Sequence, residues 1–271
     1  MTLAPFGRRL AAVETNEQVG AYRLLTVHDV DGPADPQPGQ FYMLATEQRW
    51  GAGESERPYL PRAFSFARAR EGRLSFLLED VGPGTERLAA VEPGENMWLT
   101  GPLGIGFDAP EDGTRPLLVG GGIGTAPLLC LQDELGPEAK VLLGFRSAAH
   151  AEAASLFAGE PQVATDDGSI GRHGLVTELL NEYLTRHPTP DTRHPTVYAC
   201  GPPPMLEAVR ALTAERDVKA QLALESGMAC GFGACFGCVV PTKNGYIRLC
   251  VDGPVLDGEV LETALVPGAG H

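Results

Sequence analysis

Leu117-Leu118-Val119-Gly120-Gly121-Gly122-Ile123-Gly124-Thr125-Ala126-Pro127 joins a short apolar run to a glycine turn and then to an amphipathic stretch reaching Leu135. That order reads as a strand, a tight turn and a helix start. Backbone at such a turn can approach a pyrophosphate closely, and a helix N-terminus favours the anion. The same pattern also serves as a plain tight turn. Downstream, Lys140–Phe145 is a second apolar run, and Leu175–His187 has helical spacing at Leu175, Leu179, Leu180 and Leu184. Thr196–Cys200 reads as a strand and Pro203–Arg216 as a helix. Alternation of this kind predicts a parallel sheet with crossover helices over residues 111–218. A dinucleotide-binding turn is usually followed by an acid about 20 residues on, which holds the ribose hydroxyls. Here the second apolar run ends in Gly144-Phe145-Arg146-Ser147 instead. An Arg there could meet a 2′-phosphate, so the residues leave NAD and NADP both open.

Residues 1–110 have a different character. Tyr22–Val30, Gln40–Ala45, Arg73–Val81 and Asn96–Thr100 are short β-type runs separated by Gly/Pro clusters at 32–39, 82–84, 93–94 and 101–106. Regular short strands with turn punctuation predict an antiparallel barrel. Trp50–Pro61 reads as an exposed loop, and Asp108–Thr114 as the linker into the next region. A third, small unit is expected over 219–271, where Lys243-Asn244-Gly245 between two β-type runs signals a hairpin.

That third unit holds four of the six cysteines. Cys230, Cys235 and Cys238 have the spacing C-x4-C-x2-C, and Cys250 follows beyond the hairpin. This is the plant-type 2Fe–2S pattern, three thiolates from one tight loop and a remote fourth. Gly231, Gly233 and Gly237 supply permissive backbone for the curl. A four-cysteine zinc site usually shows two C-x2-C pairs, and one is present. Cys130 reads as a small core residue.

The chain has 271 residues, 35 acidic against 21 basic, and a net charge of −14. A surface this acidic repels phosphate backbones, which argues against nucleic-acid binding. The longest apolar stretch, Leu117 to Leu131, is Gly-interrupted and shorter than the ~20 residues a membrane span needs. The opening MTLAPFGRRLAAVETNE lacks the apolar core of a secretory signal. A cytoplasmic location is therefore expected, where thiols stay reduced and disulfides are not the explanation for six cysteines. The six histidines (28, 150, 173, 187, 194, 271) show no metal spacing and receive no role. Glu225 reads as a structural or loop-capping acid.

Several of these segments carry a resemblance. Arg62-Ala63-Phe64-Ser65 resembles the R-x-[YF]-S flavin motif of the ferredoxin-reductase superfamily, with Ala63 where the family has Pro. Gly82-Pro83-Gly84-Thr85 resembles its second flavin motif. GGGIGTAPL (120–128) and Val197-Tyr198-Ala199-Cys200-Gly201-Pro202 resemble its nicotinamide motifs. The cysteine segment beginning LESGMACGFGACFGC (224–238), and ATDDGSIGRHGLVTELL (164–180), are similar to the electron-transfer subunits of type 1B dihydroorotate dehydrogenases.

The resemblance implies a flavin-binding barrel, an α/β nucleotide domain and a small 2Fe–2S domain, with FAD, a 2Fe–2S cluster and NAD as cofactors. Arg62 would bind the FAD pyrophosphate, with Phe64 and Ser65 along the isoalloxazine and the N–H groups near Gly84 and Thr85 at the phosphates. Gly121, Gly122, Gly124 and Thr125 would cradle the nicotinamide dinucleotide. Cys200, Gly201 and Pro202 would lie near the nicotinamide, Cys200 being the catalytic candidate. Cys230, Cys235, Cys238 and Cys250 would hold the cluster. The implied partner is an FMN-containing catalytic subunit that oxidises dihydroorotate to orotate in pyrimidine biosynthesis, in a heterotetramer of two plus two. Flavin/2Fe–2S subunits of sulfide dehydrogenases, sulfhydrogenases and NADH-dependent ferredoxin:NADP reductases share the architecture. Some of these replace a cluster Cys with Asp, so four cysteines favour the dihydroorotate reading. A non-catalytic iron–sulfur module is a further alternative, opposed by the flavin and nicotinamide motifs.

Overall fold

A computed structural model describes residues 7–50, 60–187 and 194–266. Most of the loop expected at Trp50–Pro61 lies outside the described residues. The N-terminal part contains β1 (Arg8–Val19), β2 (Tyr22–His28), β3 (Phe41–Thr46), β4 (Arg62–Ser65), β5 (Arg68–Arg70), β6 (Arg73–Leu78), α1 (Pro83–Ala89) and β7 (Asn96–Leu103). The strands form one antiparallel sheet in the order β4-β3-β7-β1-β2-β6-β5. The sheet curls but does not close through hydrogen bonds, so the expected barrel is a half-barrel. Its inner face follows the two-residue period of a strand. In β7 Met97, Leu99, Gly101 and Leu103 are buried and the residues between them are not. Tyr42, Phe66 and Phe76 fill the concave side, the ring centroids of Phe66 and Phe76 lying 6.0 and 5.8 Å from that of Tyr42.

β1 is the longest strand among the described residues, and it is absent from the sequence reading. Its inward positions are the small Ala11 and Val13, while Leu10 faces solvent, so the apolar alternation is weak. Pairing decides it instead, because β2 and β7 hydrogen-bond to β1 on either side. Arg9 on this strand meets Asp29 at 2.5–2.6 Å and Gly101 O at 2.7 Å, tying three segments together beneath the sheet.

The second layer system contains β8 (Arg115–Gly121), α2 (Ala126–Leu135), β9 (Lys140–Phe145), α3 (Ala148–Ala151), β10 (Gln162–Thr165), β11 (Arg172–His173), α4 (Val176–Arg186), β12 (Pro195–Cys200), α5 (Pro203–Glu215) and β13 (Ala220–Ala223). The remaining elements are β14 (Val239–Thr242), β15 (Gly245–Arg248), α6 (Leu249–Asp252) and β16 (Val255–Asp257). The second sheet has the order β11-β10-β9-β8-β12-β13-β16, parallel throughout except for β16. Leu117 and Val119 of β8 pack on one face with residues of α4 and α5, and Leu118 packs on the other with residues of α2. The chain steps outward from β8 in both directions, which places the switch point between β8 and β12.

This sheet continues past 218, where the sequence reading places a boundary. β13 and β16 form its edge, and the cysteine segment is an excursion between them. The expected Asn244-Gly245 hairpin is present as β14 and β15. The excursion is not loose. A Cβ on Gly231 would sit 2.7 Å from Met43 Cγ, and Ile105 N donates to Gly253 O at 2.5 Å, so it is seated on the half-barrel.

Glu207 of α5 anchors the last described segment. Its carboxylate accepts from Arg210 at 2.6 and 3.0 Å, from Ala264 N at 2.6 Å and from Thr263 Oγ1 at 3.0 Å. Arg210 first, then these donors, hold its pKa down at about 2. A depressed folded-state pKa stabilises the fold above the ordinary carboxylate range, and the contribution disappears as pH falls from about 4.5 toward 2. Thermal melts between pH 7 and 3 are expected to show a shallower acid loss of Tm for Glu207→Gln than for the parent chain. Parallel acid profiles would refute this anchor.

Candidate functional site

A cleft of about 1200 Å³ runs between the half-barrel and the C-terminal ends of the parallel strands. On its barrel wall stand Arg62, Phe64 and Ser65 of β4, and Gly84 and Thr85 of α1. A Cβ on Gly84 would lie 2.5 Å from Arg62 Nε, so the missing side chain is what lets the guanidinium cross the start of α1. Arg62 Nη1 donates to Leu60 O at 2.8 Å, and its Cζ lies 5.9 Å from the Trp50 ring centroid. The Thr85 hydroxyl is engaged within the turn: it accepts from Val81 N and Gly82 N and donates to Gly82 O, at 2.9–3.0 Å. What this corner offers outward is a guanidinium and first-turn backbone N–H groups, a donor set suited to a pyrophosphate.

The opposite wall is built by two turns. Cys200 is in register with Gly120, so β8 and β12 deliver their following turns side by side. Gly121, Gly122 and Gly124 come from one turn, and Gly201 and Pro202 follow Cys200 in the other. Gly122 has φ +54°, the left-handed region that glycine enters without cost. A Cβ on Gly124 would meet Gly201 N at 2.5 Å and the Cys200 carbonyl carbon at 2.6 Å, so the two turns touch through bare backbone. Thr125 does not face the cleft. It is buried, and its hydroxyl donates to Gly122 O at 3.0 Å, which makes it a brace for the turn rather than a direct ligand.

Burial shifts two side chains at the centre. Burial first, and then the Glu225 carboxyl, push the Cys200 thiol well above its ordinary pKa. It stays a thiol at neutral pH, a hydrogen-bond donor and not a nucleophile. Burial likewise raises the Glu225 carboxyl. Glu225 is half-buried and lines the cleft, so the sequence reading of a capping acid is replaced by a residue of the site. Its place directly before SGMAC is the only hint the sequence carries.

From Glu225 the cleft wall runs through Ser226, Gly227, Met228 and Ala229 to the first cluster cysteine. Burial alone would raise the Cys230 thiol, but N–H groups of Phe232, Cys235 and Ala234 and the Cys235 thiol outweigh it and bring it to about 6. Gly237 N donates to Cys235 Sγ at 3.4 Å. Gly231 and Gly233 take φ +78° and +85°, as the curl requires. Gly237 does not, and Phe236 adopts φ +60° in its place. The thiols meet as two pairs, Cys230 with Cys235 and Cys238 with Cys250. Among the described residues no group of three or more Cys, His, Asp or Glu surrounds a single point. Four thiols gathered in this way, with N–H donors behind them, fit a two-iron core, which takes two thiolates per iron.

The cleft also holds residues that sequence reasoning passed over. The Glu79 carboxylate, just beyond β6, accepts from His150 Nε2 at 3.3 Å and lies 3.8 Å from Arg146 Nη2. Tyr22 stacks edge-on against His150, the ring centroids 5.5 Å apart. Asp166 follows β10, beside Arg146. No periodicity marks them, because they converge only when the two sheets meet.

The description of the iron–sulfur cluster binding domain of dihydroorotate dehydrogenase B matches residues 225–262. An electron transfer subunit of dihydroorotate dehydrogenase B (NAD(+)) from Caldanaerobacter subterraneus subsp. tengcongensis is 36% identical over 83% of this chain and 86% of its own length. That of Bacillus caldolyticus is 39% identical over 83% of this chain and 87% of its own. Among solved structures, the NADH-dependent reduced ferredoxin–NADP oxidoreductase superposes with a TM-score of 0.77 at 25% identity, covering 95% of this chain and 91% of that one. A ferredoxin reductase of carbazole 1,9a-dioxygenase shares the fold, with a TM-score of 0.63 at 23% identity over 78% of this chain and 66% of its own.

Proposed function

This chain belongs to the family of dihydroorotate dehydrogenase B electron transfer subunits, and we propose that it carries electrons from a dihydroorotate-oxidising partner to NAD. It is an oxidoreductase subunit that uses FAD, a 2Fe–2S cluster and NAD. The observation that carries this reading is the continuity of one cleft wall. Turns after β8 and β12, the β4–α1 corner and the segment leading into Cys230 all face a single cavity. When bound, FAD exchanges a hydride with nicotinamide and single electrons with an iron–sulfur centre, which is why it belongs between them.

The protein's own part is positioning. Arg62 and the α1 N–H groups would hold the flavin pyrophosphate, and Phe64 and Ser65 would serve the ring end. The glycine turn and Gly201-Pro202 admit the nicotinamide dinucleotide. Cys200, kept a thiol, and Glu225 line the cleft where the reacting end would lie. The short walk from Glu225 to Cys230 would bring the cluster close to the flavin end of the cleft. Phe232, Phe236 and Tyr246 are exposed around the cluster loop and would meet the FMN-containing catalytic subunit, in an assembly of two plus two. Among the described residues no helix is long and apolar enough to cross a membrane; the location proposed is the cytoplasm, where cluster thiols stay reduced.

The test is spectroscopic. The chain reconstituted with FAD, iron and sulfide is expected to show flavin and iron–sulfur bands that bleach with NADH. Iron–sulfur bands without flavin would instead identify a cluster module. Cys200→Ala is expected to slow NADH-dependent bleaching by about 100-fold or more, the weight of one preorganised donor at a reacting centre. FAD content should not change. Unaltered bleaching would remove Cys200 from the site.

A further inference from the structure

We propose that Asp166 makes this chain selective for NAD over NADP by binding the adenosine ribose hydroxyls, with Glu79 drawing Arg146 away from a 2′-phosphate; this rests on the dinucleotide site proposed above. The residue expected at the end of the second strand, an acid, is Arg146. The acid stands one strand further out. β9 and β10 are parallel with Thr165 opposite Phe145, so the next residues, Asp166 and Arg146, are neighbours at the strand ends. Backbone bonds fix them there: Asp166 N donates to Phe145 O at 3.0 Å and Asp167 N to Arg146 O at 3.3 Å. Ser169 Oγ accepts from Ala148 N at 2.7 Å and closes the same corner.

The two adjacent acids differ in what they do. Asp167 is engaged, accepting from Ser169 N at 2.9 Å and Ser169 Oγ at 2.6 Å. The Asp166 carboxylate has no hydrogen-bond or ion-pair partner among the described residues, although it is exposed and lines the cleft. β9 lies between β8 and β10, so at about 4.8 Å per strand Asp166 stands roughly 10 Å from the glycine turn. A dinucleotide whose phosphates rest on that turn extends its adenosine half over β9 and β10.

Charge sets the selectivity. Arg146 is the cation at this end of the cleft, and its side chain is 73% exposed. Glu79 comes within 3.8 Å of it from the barrel side, and Asp166 follows the neighbouring strand on the sheet side. A ribose with free hydroxyls donates to Asp166. A 2′-phosphate would bring about two negative charges against Asp166 and would compete with Glu79 for the guanidinium. The Arg that leaves the coenzyme open in the sequence is thus countered by two carboxylates that only the fold brings near it.

The experiment uses the chain carrying FAD and cluster. Dissociation constants for NAD+ and NADP+ are measured by calorimetry, and kcat/KM for NADH and NADPH with ferricyanide as acceptor. The parent is expected to prefer NAD in both. Asp166→Asn and Asp166→Ser should weaken NAD about tenfold and strengthen NADP about tenfold, moving the ratio on the order of 100-fold, as for loss of a charged partner to a substrate hydroxyl. Glu79→Gln added to either should strengthen NADP further, and Arg146→Ala should cancel the gain. The ratio is the decisive readout, because general damage to the fold lowers both coenzymes together. A ratio unchanged in both Asp166 variants, or a parent that prefers NADP, would overturn the assignment while leaving the electron-transfer reading in place. Failure of the parent to bind either dinucleotide would overturn both.

Discussion

Cys250→Ser is expected to abolish dihydroorotate-driven NAD+ reduction by the two-subunit complex while NADH-dependent ferricyanide reduction stays within about twofold of the parent. Cys250 is buried on α6 and its thiol meets that of Cys238, one of the two pairs that would each serve one iron. A hydroxyl is a much poorer iron ligand than a thiolate, and even outer-shell changes at metal sites cost 10–100-fold. The loss in the coupled assay is therefore expected to exceed about 100-fold. The flavin corner at Arg62 and Gly84 and the turns after β8 and β12 contain none of the cluster residues, so the NADH half of the reaction should persist. Cys130→Ser is the control. Cys130 is buried in the half-barrel core, and burial raises its thiol to about 12, so it should leave the cluster spectrum intact. Full cluster content in Cys250→Ser would remove Cys250 from the ligand set.

Arg62→Ala is expected to weaken FAD binding by roughly 100-fold and to yield a purified chain with cluster bands but little flavin. The figure follows from losing charge-assisted hydrogen bonds to a phosphate, about 1.5–3 kcal/mol, at 1.4 kcal/mol per tenfold in affinity. Arg62→Lys should recover only part of it, because an ammonium cannot reproduce the planar fork. Gly84→Ala tests the same corner from the other side. Its Cβ would displace the Arg62 side chain that crosses α1, so flavin affinity should fall without any charge being lost. Unchanged FAD affinity in Arg62→Ala, measured by fluorescence titration, would place the pyrophosphate elsewhere.

The order of elements was readable because it rests on local signals. Gly120–Gly124 announce a turn between strand and helix, Leu179, Leu180 and Leu184 show the helical period, and Asn244-Gly245 marks a hairpin. The cysteine spacing carried its chemistry for the same reason, since three ligands come from one short loop. β1 was not readable. Its inward residues are small, its outward residues are polar, and its place depends on partners that follow it by up to about 90 positions. β16 likewise acquires its role only by returning to β13. The motif residues at the cleft were legible one by one, apart from Thr125, whose hydroxyl turns inward to brace the loop. Glu79, Asp166 and the Arg146–His150 stretch come from three separate segments and share a site only after folding. Glu225 gains its raised pKa from burial, which no single-residue pattern announces.

The most direct test of the account is to isolate the tagged chain anaerobically from its native cell and assay the eluate for dihydroorotate-dependent formation of NADH. An FMN protein is expected to co-elute, NADH to form with dihydroorotate, and the chain alone to be inactive toward dihydroorotate while its flavin still responds to NADH. A co-purified complex whose flavin bleaches with NADH but which makes no NADH from dihydroorotate would contradict it, and would assign the same cleft to a ferredoxin, sulfide or hydrogen-linked partner.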